Sequence, residues 1–266
     1  MPVVACNGAD TYYEEYGEGR PIVFLHGAWA GLRFFQSQLR GLSDDYRTLA
    51  FDFRGHGRSE KTEAGHTLSQ YARDLRAFLD SLDVDDAVLV GWSLGALVTW
   101  EYVDQYGTDG VRALVDVDME PAPGDWSDDS EGRYDAEALR DIHVAIQDDH
   151  WGVSERSVEA LLKEPPSDEV RTMMFDETTR CPPSVMSAII LDATTCDYRD
   201  VLTRVDVPTL VCAGTDEKWR TVAAVEPVAE LVEDARFELF EESGHCPTVE
   251  EPDRFDDVMR DFVNSL

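Results

Sequence analysis

A serine with the surroundings of a nucleophile stands at position 93, in Gly91-Trp92-Ser93-Leu94-Gly95. The apolar run Val88-Leu89-Val90 precedes it, and an apolar stretch of helical spacing follows from Ala96-Leu97. A strand that turns sharply into a helix at Gly-x-Ser-x-Gly holds its serine on a strained corner, with the hydroxyl exposed above the sheet. Glycine is needed at 91 and 95 because strand and helix approach too closely there for a side chain. The helix N-terminus behind Ser93 offers free N–H groups and the positive end of a dipole, which suit a developing oxyanion. A serine hydroxyl also needs a histidine to take its proton and a carboxylate to fix that histidine's tautomer. His245, in Ser243-Gly244-His245-Cys246-Pro247, follows an apolar run and sits in a tight loop, which makes it the candidate base. His26 and His56 lie in glycine-rich loops and are expected to hold backbone shape. His66, His143 and His150 carry little signal.

The elements that must position these residues alternate between short apolar runs and amphipathic helical stretches. That rhythm predicts a mostly parallel, eight-stranded sheet with helices on both faces, an α/β fold. Strands are expected at Val3–Cys6 and Thr11–Tyr16 as an opening hairpin, then at Pro21–Leu25, Arg47–Phe51, Asp86–Gly91, Val111–Asp118, Thr209–Ala213 and Arg236–Phe240. Helices are expected over Leu32–Leu42, Leu68–Leu82, Leu94–Tyr106, Val222–Val232 and from Pro252 onward. After Glu120-Pro121-Ala122-Pro123-Gly124 the strands stop, and about eighty residues show helical patterns only. Pro165-Pro166 and Pro182-Pro183 divide this stretch, which carries Trp126, Tyr134, Trp151, Phe175 and several methionines. Residues 1–118 and 203–266 therefore read as a core, and 119–202 as a helical cap inserted after the sixth strand.

Composition narrows the partners. Acidic residues outnumber basic ones 55 to 23, for a formal net charge of −32. Such a chain repels nucleic acid and anionic membranes. The acids occur in pairs along the whole length, such as Asp44-Asp45, Asp148-Asp149 and Glu241-Glu242, so they dress a globular surface rather than form a tail. This pattern suits a salt-loving organism, where high salt screens self-repulsion. The cysteines (Cys6, Cys181, Cys196, Cys212 and Cys246) have no metal-ligand spacing and read as reduced, mostly buried thiols of a cytoplasmic protein. The N-terminal sequence shows no signal peptide or lipidation motif, and no apolar run is long enough to span a membrane. A monomer or small homo-oligomer is expected.

Four motifs in order resemble the α/β-hydrolase superfamily: His26-Gly27-Ala28-Trp29, Asp52-Phe53-Arg54-Gly55-His56-Gly57-Arg58-Ser59, Gly91-Trp92-Ser93-Leu94-Gly95-Ala96 and Ser243-Gly244-His245. The resemblance covers almost the whole chain and is similar to the branch of chloroperoxidase-like esterases, lactonases and dehalogenase relatives. A serine at the elbow departs from dehalogenases and epoxide hydrolases, whose nucleophile is aspartate. The resemblance implies an oxyanion hole from the backbone N–H groups of Ala28 and Leu94. It offers two positions for the acid. One follows the strand Thr209–Ala213, where Asp216 comes one residue early and Glu217 stands at the usual spacing. The other ends the strand Val111–Asp118, where the matching residue is Asp118. Asp116 and Asp118 share a strand face by period two, but only Asp118 reaches the carboxyl edge, where open α/β sheets do their chemistry. Asp118, Asp216 and Glu217 all remain candidates at this level.

The chemistry implied is acyl transfer on a small ester or lactone, with no metal or cofactor required. The cap would roof the site and set substrate size, and Trp29 and Trp92, which flank the motifs, are candidate pocket walls. Other chemistry on the same fold is the alternative: perhydrolysis, C–C bond hydrolysis, or cofactor-independent oxygenation through the His–Asp pair. A non-catalytic ligand-binding protein on this scaffold is a further one.

Overall fold

The structure is a computed structural model, and it describes residues 2–124 and 134–266. Trp126, a candidate cap aromatic, lies outside the described residues. Eight strands form one sheet: β1 (Val3–Cys6), β2 (Ala9–Tyr16), β3 (Pro21–Leu25), β4 (Arg47–Phe51), β5 (Ala87–Trp92), β6 (Val111–Val117), β7 (Thr209–Gly214) and β8 (Ala235–Phe240). Their order is β1-β2-β4-β3-β5-β6-β7-β8. β1 and β2 pair antiparallel, β2 joins β4 antiparallel, and every pairing from β4 through β8 is parallel. The order reverses between β4-β3 and β5-β6, which opens a crevice at the carboxyl ends of the central strands.

Alternating residues along the central strands feed two separate cores. Val23, Leu25, Leu49, Phe51 and Leu89 face one layer of helices. Ile22, Phe24, Ala50, Val88 and Val90 face the other. Both faces are covered, so these strands are near-continuous apolar runs rather than strict alternations. The first layer holds α2 (Leu68–Ser81) and α3 (Leu94–Tyr106), with α8 (Arg199–Leu202) and α9 (Val222–Leu231) beside them. α1 (Gln36–Gly41) and the closing helix α11 (Pro252–Asn264) lie on the opposite face, next to the short α10 (Pro247–Glu250). α3 is buried on nearly every side from Leu94 to Val103, as befits the helix that carries the elbow.

The helix expected over Leu32–Leu42 is divided. A 3-10 turn covers Leu32–Phe35, and α1 begins only at Gln36, because Phe35 leaves helical geometry at φ −108°, ψ 17°. Between β6 and β7 the described residues form helices α4 (Ala136–Asp148), α5 (His150–Leu161), α6 (Asp168–Thr179), α7 (Pro183–Thr194) and α8, with no strand. α4, α5 and α6 start on side-chain caps from Asp135, Asp149 and Ser167, and α7 starts on Pro183. These helices enclose a small apolar core of Ile146, Val153, Cys181, Val185 and Met186. Trp29, on the loop after β3, packs against it and donates its indole N–H to the Met186 carbonyl at 3.2 Å. No described helix is long and apolar enough to cross a membrane. The five cysteines are free thiols; all but the half-buried Cys196 are buried.

Candidate active site

Five loops bring side chains to the carboxyl edge of the sheet. They follow β3, β5, β6, β7 and β8, and carry Ala28–Trp29, Ser93, Asp118, Glu217 and His245 respectively. Ser93 stands between β5 and α3 at φ 53°, ψ −115°, a left-handed conformation that is costly for a residue with a side chain. Its N–H donates to the Val117 carbonyl at 2.9 Å, which pins the corner to β6. A Cβ at Gly95 would press into the Leu25 backbone, and one at Gly91 would meet Ala96 N at 2.5 Å. The close approach expected from the sequence is therefore real at both glycines.

His245 is buried, and its Nδ1 lies 2.8 Å from Asp118 Oδ2. With a carboxylate as acceptor, Nδ1 carries the proton and donates it, and Nε2 keeps the lone pair. Asp118 itself is held from three sides. Its N–H donates to Cys212 O at 2.8 Å, its carbonyl accepts from Arg220 Nη1 at 2.9 Å, and its backbone sits in the left-handed region at φ 54°. Burial pushes its carboxyl well above the usual range; the Arg220 guanidinium opposes that, while Glu217 and Glu120 add to it. Trp92 fixes the histidine loop, since its indole N–H donates to the His245 carbonyl at 2.7 Å. The same indole stacks on Phe34 at 5.1 Å and lies 5.4 Å from the imidazole.

The three carboxylates weighed for the acid have separated. Asp118 faces His245. Asp216 does not: its side chain is 58% exposed and pairs with Lys163 Nζ at 3.1 Å, so it stands outside the site. The turn after β7 directs residue 216 outward and residue 217 inward. The Glu217 side chain is accordingly buried, with Oε1 at 3.8 Å from His245 Nδ1, and its carboxylate accepts the backbone N–H groups of Trp219 (3.1 Å) and Arg220. Asp116, on the same strand face as Asp118, is also buried, but its Oδ2 accepts from Trp100 Nε1 at 3.0 Å within the first core. Burial raises its carboxyl to about 7.

Arg220 has no forerunner in the sequence reading. Its guanidinium is buried between the β6 and β7 loops, pairs with Glu120, and puts Nη1 at 3.0 Å from His245 Nδ1. A signal existed: it is an arginine three residues past a candidate acid, in a chain poor in cations. Asp118, Glu217 and His245 also form the one group among the described residues whose donor atoms lie close enough to hold a metal ion, within 4.8 Å of one another. The Arg220 guanidinium already brings a positive charge to that spot.

Ser93 and His245 open into one cavity of about 380 Å³, together with Ala28, Trp29, Trp92 and Leu94. Trp29 sits at φ 62° beside Ala28, so the loop after β3 turns its backbone sharply at the cavity wall. Residues of the helices between β6 and β7 complete the lining, among them Ile142, Val153, Leu161 and Ile190. None of the described lining residues is acidic, although 55 of the 266 residues are; the lining is largely apolar, with Arg156 and Arg220 as its cations. Trp151, by contrast, is 64% exposed, lies with its ring tilted 5.7 Å from that of Phe175, and is outside the cavity. His26 and His56 are tied to backbone: His26 Nε2 accepts from Phe53 N at 3.0 Å and its Nδ1 lies 2.8 Å from Gly27 O, while His56 Nδ1 lies 3.2 Å from Arg54 O.

A family model described as the Alpha/beta hydrolase family matches residues 22–258. A non-heme chloroperoxidase of Kitasatospora aureofaciens is 27% identical over 279 residues, covering 99% of this chain and 100% of the relative. An esterase of Rhodococcus sp. ECU1013 has a solved structure with a TM-score of 0.86 at 29% identity, covering 99% of this chain and 98% of that one. An enol-lactonase of Burkholderia xenovorans LB400 is similar in fold, with a TM-score of 0.86 at 22% identity, covering 99% of this chain and 100% of that one.

Proposed function

We propose a function from one premise: the chain belongs to the alpha/beta hydrolase family. Within that family it is a serine hydrolase that cleaves small carboxylic esters or lactones through an acyl-enzyme on Ser93. The observation that carries this reading is a left-handed serine sharing a cavity with a histidine whose Nδ1 is 2.8 Å from a buried aspartate. His245 Nε2 takes the Ser93 proton as the hydroxyl oxygen attacks the substrate carbonyl. Asp118 keeps the imidazole in the required tautomer and stabilises the imidazolium. The backbone N–H groups of Ala28 and Leu94 receive the oxyanion. His245 returns the proton to the leaving alcohol. Water then repeats the sequence and releases the carboxylic acid, leaving Ser93 free. No step calls for a metal or cofactor.

The largely apolar lining favours acyl or aryl groups without a positive charge, because the charged side chains among its described residues are Arg156 and Arg220 and a cationic substituent would lose its hydration without finding a partner. The net charge of −32 favours work at high salt, so assays belong there. The test is turnover of short p-nitrophenyl esters and lactones in molar salt, with fluorophosphonate labelling mapped to Ser93. Ser93→Ala is expected to lose activity by at least about 10⁴-fold and to take no label. Folded protein that takes no label at Ser93 would refute the reading. The similarity to a protein described as a chloroperoxidase supports a second reading, in which hydrogen peroxide replaces water and the acyl-enzyme leaves as a peracid. Peracid formation in peroxide, abolished by Ser93→Ala, is its signature.

A further inference from the structure

We infer that Glu217 is a second acid for His245, a positioning residue that shares the same ring nitrogen with Asp118 and takes over when Asp118 is lost. The inference rests on the serine-hydrolase reading. Two strands deliver carboxylates to one Nδ1: Asp118 from the end of β6 at 2.8 Å, and Glu217 from the turn after β7 at 3.8 Å. Both side chains are 1% exposed.

A backbone-capping role does not account for a glutamate here. The N–H groups of Trp219 and Arg220 need an acceptor, and a neutral side chain would serve without placing a full charge in a dry site. Among the described residues, the loops after β6 and β7 both bring charges to the surroundings of His245. The β6 loop brings Asp118 and Glu120, and the β7 loop brings Glu217 and Arg220. From α10, just after the histidine's loop, Glu250 is turned to the backbone N–H groups of Gly244 and Cys246. Arg220 is thus one cation for three carboxylates, and it is already engaged by Glu120 and the Asp118 carbonyl. The imidazolium that forms on His245 during acyl transfer places a second positive charge beside these carboxylates. Asp118 alone would fix the tautomer; the second carboxylate makes the surroundings of the ring match its charged state.

Substitution is within reach of the side chain. Oε1 must advance about 1 Å to equal the Asp118 distance, and a glutamate has a soft terminal torsion that permits this. Asp118→Ala opens the space into which it would move. Removing the aspartate from a serine–histidine–aspartate set ordinarily costs about 10⁴-fold.

The experiment measures kcat/KM on a p-nitrophenyl ester for Asp118→Ala, Glu217→Gln and the double variant, each checked for folding by thermal melting. Asp118→Ala is expected to retain activity within roughly 100-fold of the parent, and adding Glu217→Gln to remove roughly 100-fold more, reaching the ordinary loss. Asp118→Ala already as inactive as the double variant overturns the inference. Should Asp118→Ala not fold, Glu217→Gln alone decides it through the pH profile. Loss of a carboxylate beside the imidazole moves the acid limb of kcat/KM down by about one pH unit, and an unmoved limb overturns the inference. The parent's fluorophosphonate label keeps the two readings apart. A labelled parent with equal single and double variants removes Glu217's role only; an unlabelled parent removes both.

Discussion

Asp116→Asn separates the two aspartates of β6 by their thermodynamics. The Asp116 carboxyl, fully buried against Trp100 Nε1, is raised from 3.8 to about 7. Between those values the folded chain binds a proton that the unfolded chain does not. Stability from this group is therefore complete below pH 4 and is lost as pH rises toward 7. Each pH unit in that window is worth about 1.4 kcal/mol, so moving from pH 5 to pH 7 removes about 3 kcal/mol through Asp116 alone. Asparagine keeps an oxygen for the indole N–H and has no proton to lose. Asp116→Asn should accordingly match the parent at pH 4, to within about 1 kcal/mol, and exceed it by about 4 kcal/mol at pH 8. Urea unfolding at both pH values, at one fixed molar salt concentration, measures the difference while surface repulsion cancels between the two proteins. Parallel pH dependences for parent and variant would refute the reasoning. Ester turnover should survive, because Asp116 touches neither Ser93 nor His245.

Two further perturbations test the scaffold around the site. Trp92→Phe keeps the stacked ring but removes the N–H that holds the His245 carbonyl, so kcat should fall about ten- to a hundredfold with KM little changed; an unchanged kcat in steady-state assays would deny the indole this role. Arg54→Ala strands the buried Asp74 carboxylate, which the guanidinium grips at 2.5 and 2.7 Å, and should cost about 3–5 kcal/mol or roughly 10 °C in melting temperature. The paired replacement Arg54→Met with Asp74→Leu should recover most of that loss, since it leaves no uncompensated charge.

What could be read from the chain alone follows the range of the interactions concerned. The elbow is a local object: the strand, the corner and the helix lie within twenty residues, and both glycines answer to contacts between adjacent elements. The parallel sheet was legible because each buried strand is a short apolar run with a helix after it. The division of Leu32–Leu42 was not, because apolar spacing cannot distinguish a 3-10 turn from the first turn of a helix. Asp216 and Glu217 are neighbours with opposite fates, and what sorts them is the direction of a turn and a distant lysine, Lys163. Asp116 and Asp118 share a face by period two, yet one ends under Trp100 and the other at the sheet edge; strand length decided it. Arg220 was invisible for a related reason. Its partners come from residues 118, 120 and 245, which only tertiary folding gathers.

Trp29, Ser93 and Asp118 are three of only six non-glycine residues with positive φ among those described, and all three lie at the candidate active site. Each would relax if replaced by glycine, since the left-handed region carries no penalty without a Cβ. Under the proposed function, relaxation would also remove the pocket wall, the nucleophile or the acid. Evolutionary drift toward a more stable chain therefore has its easiest local steps at positions where it would silence the chemistry. Persistence of tryptophan, serine and aspartate at these corners would be the mark of selection acting on turnover rather than on folding.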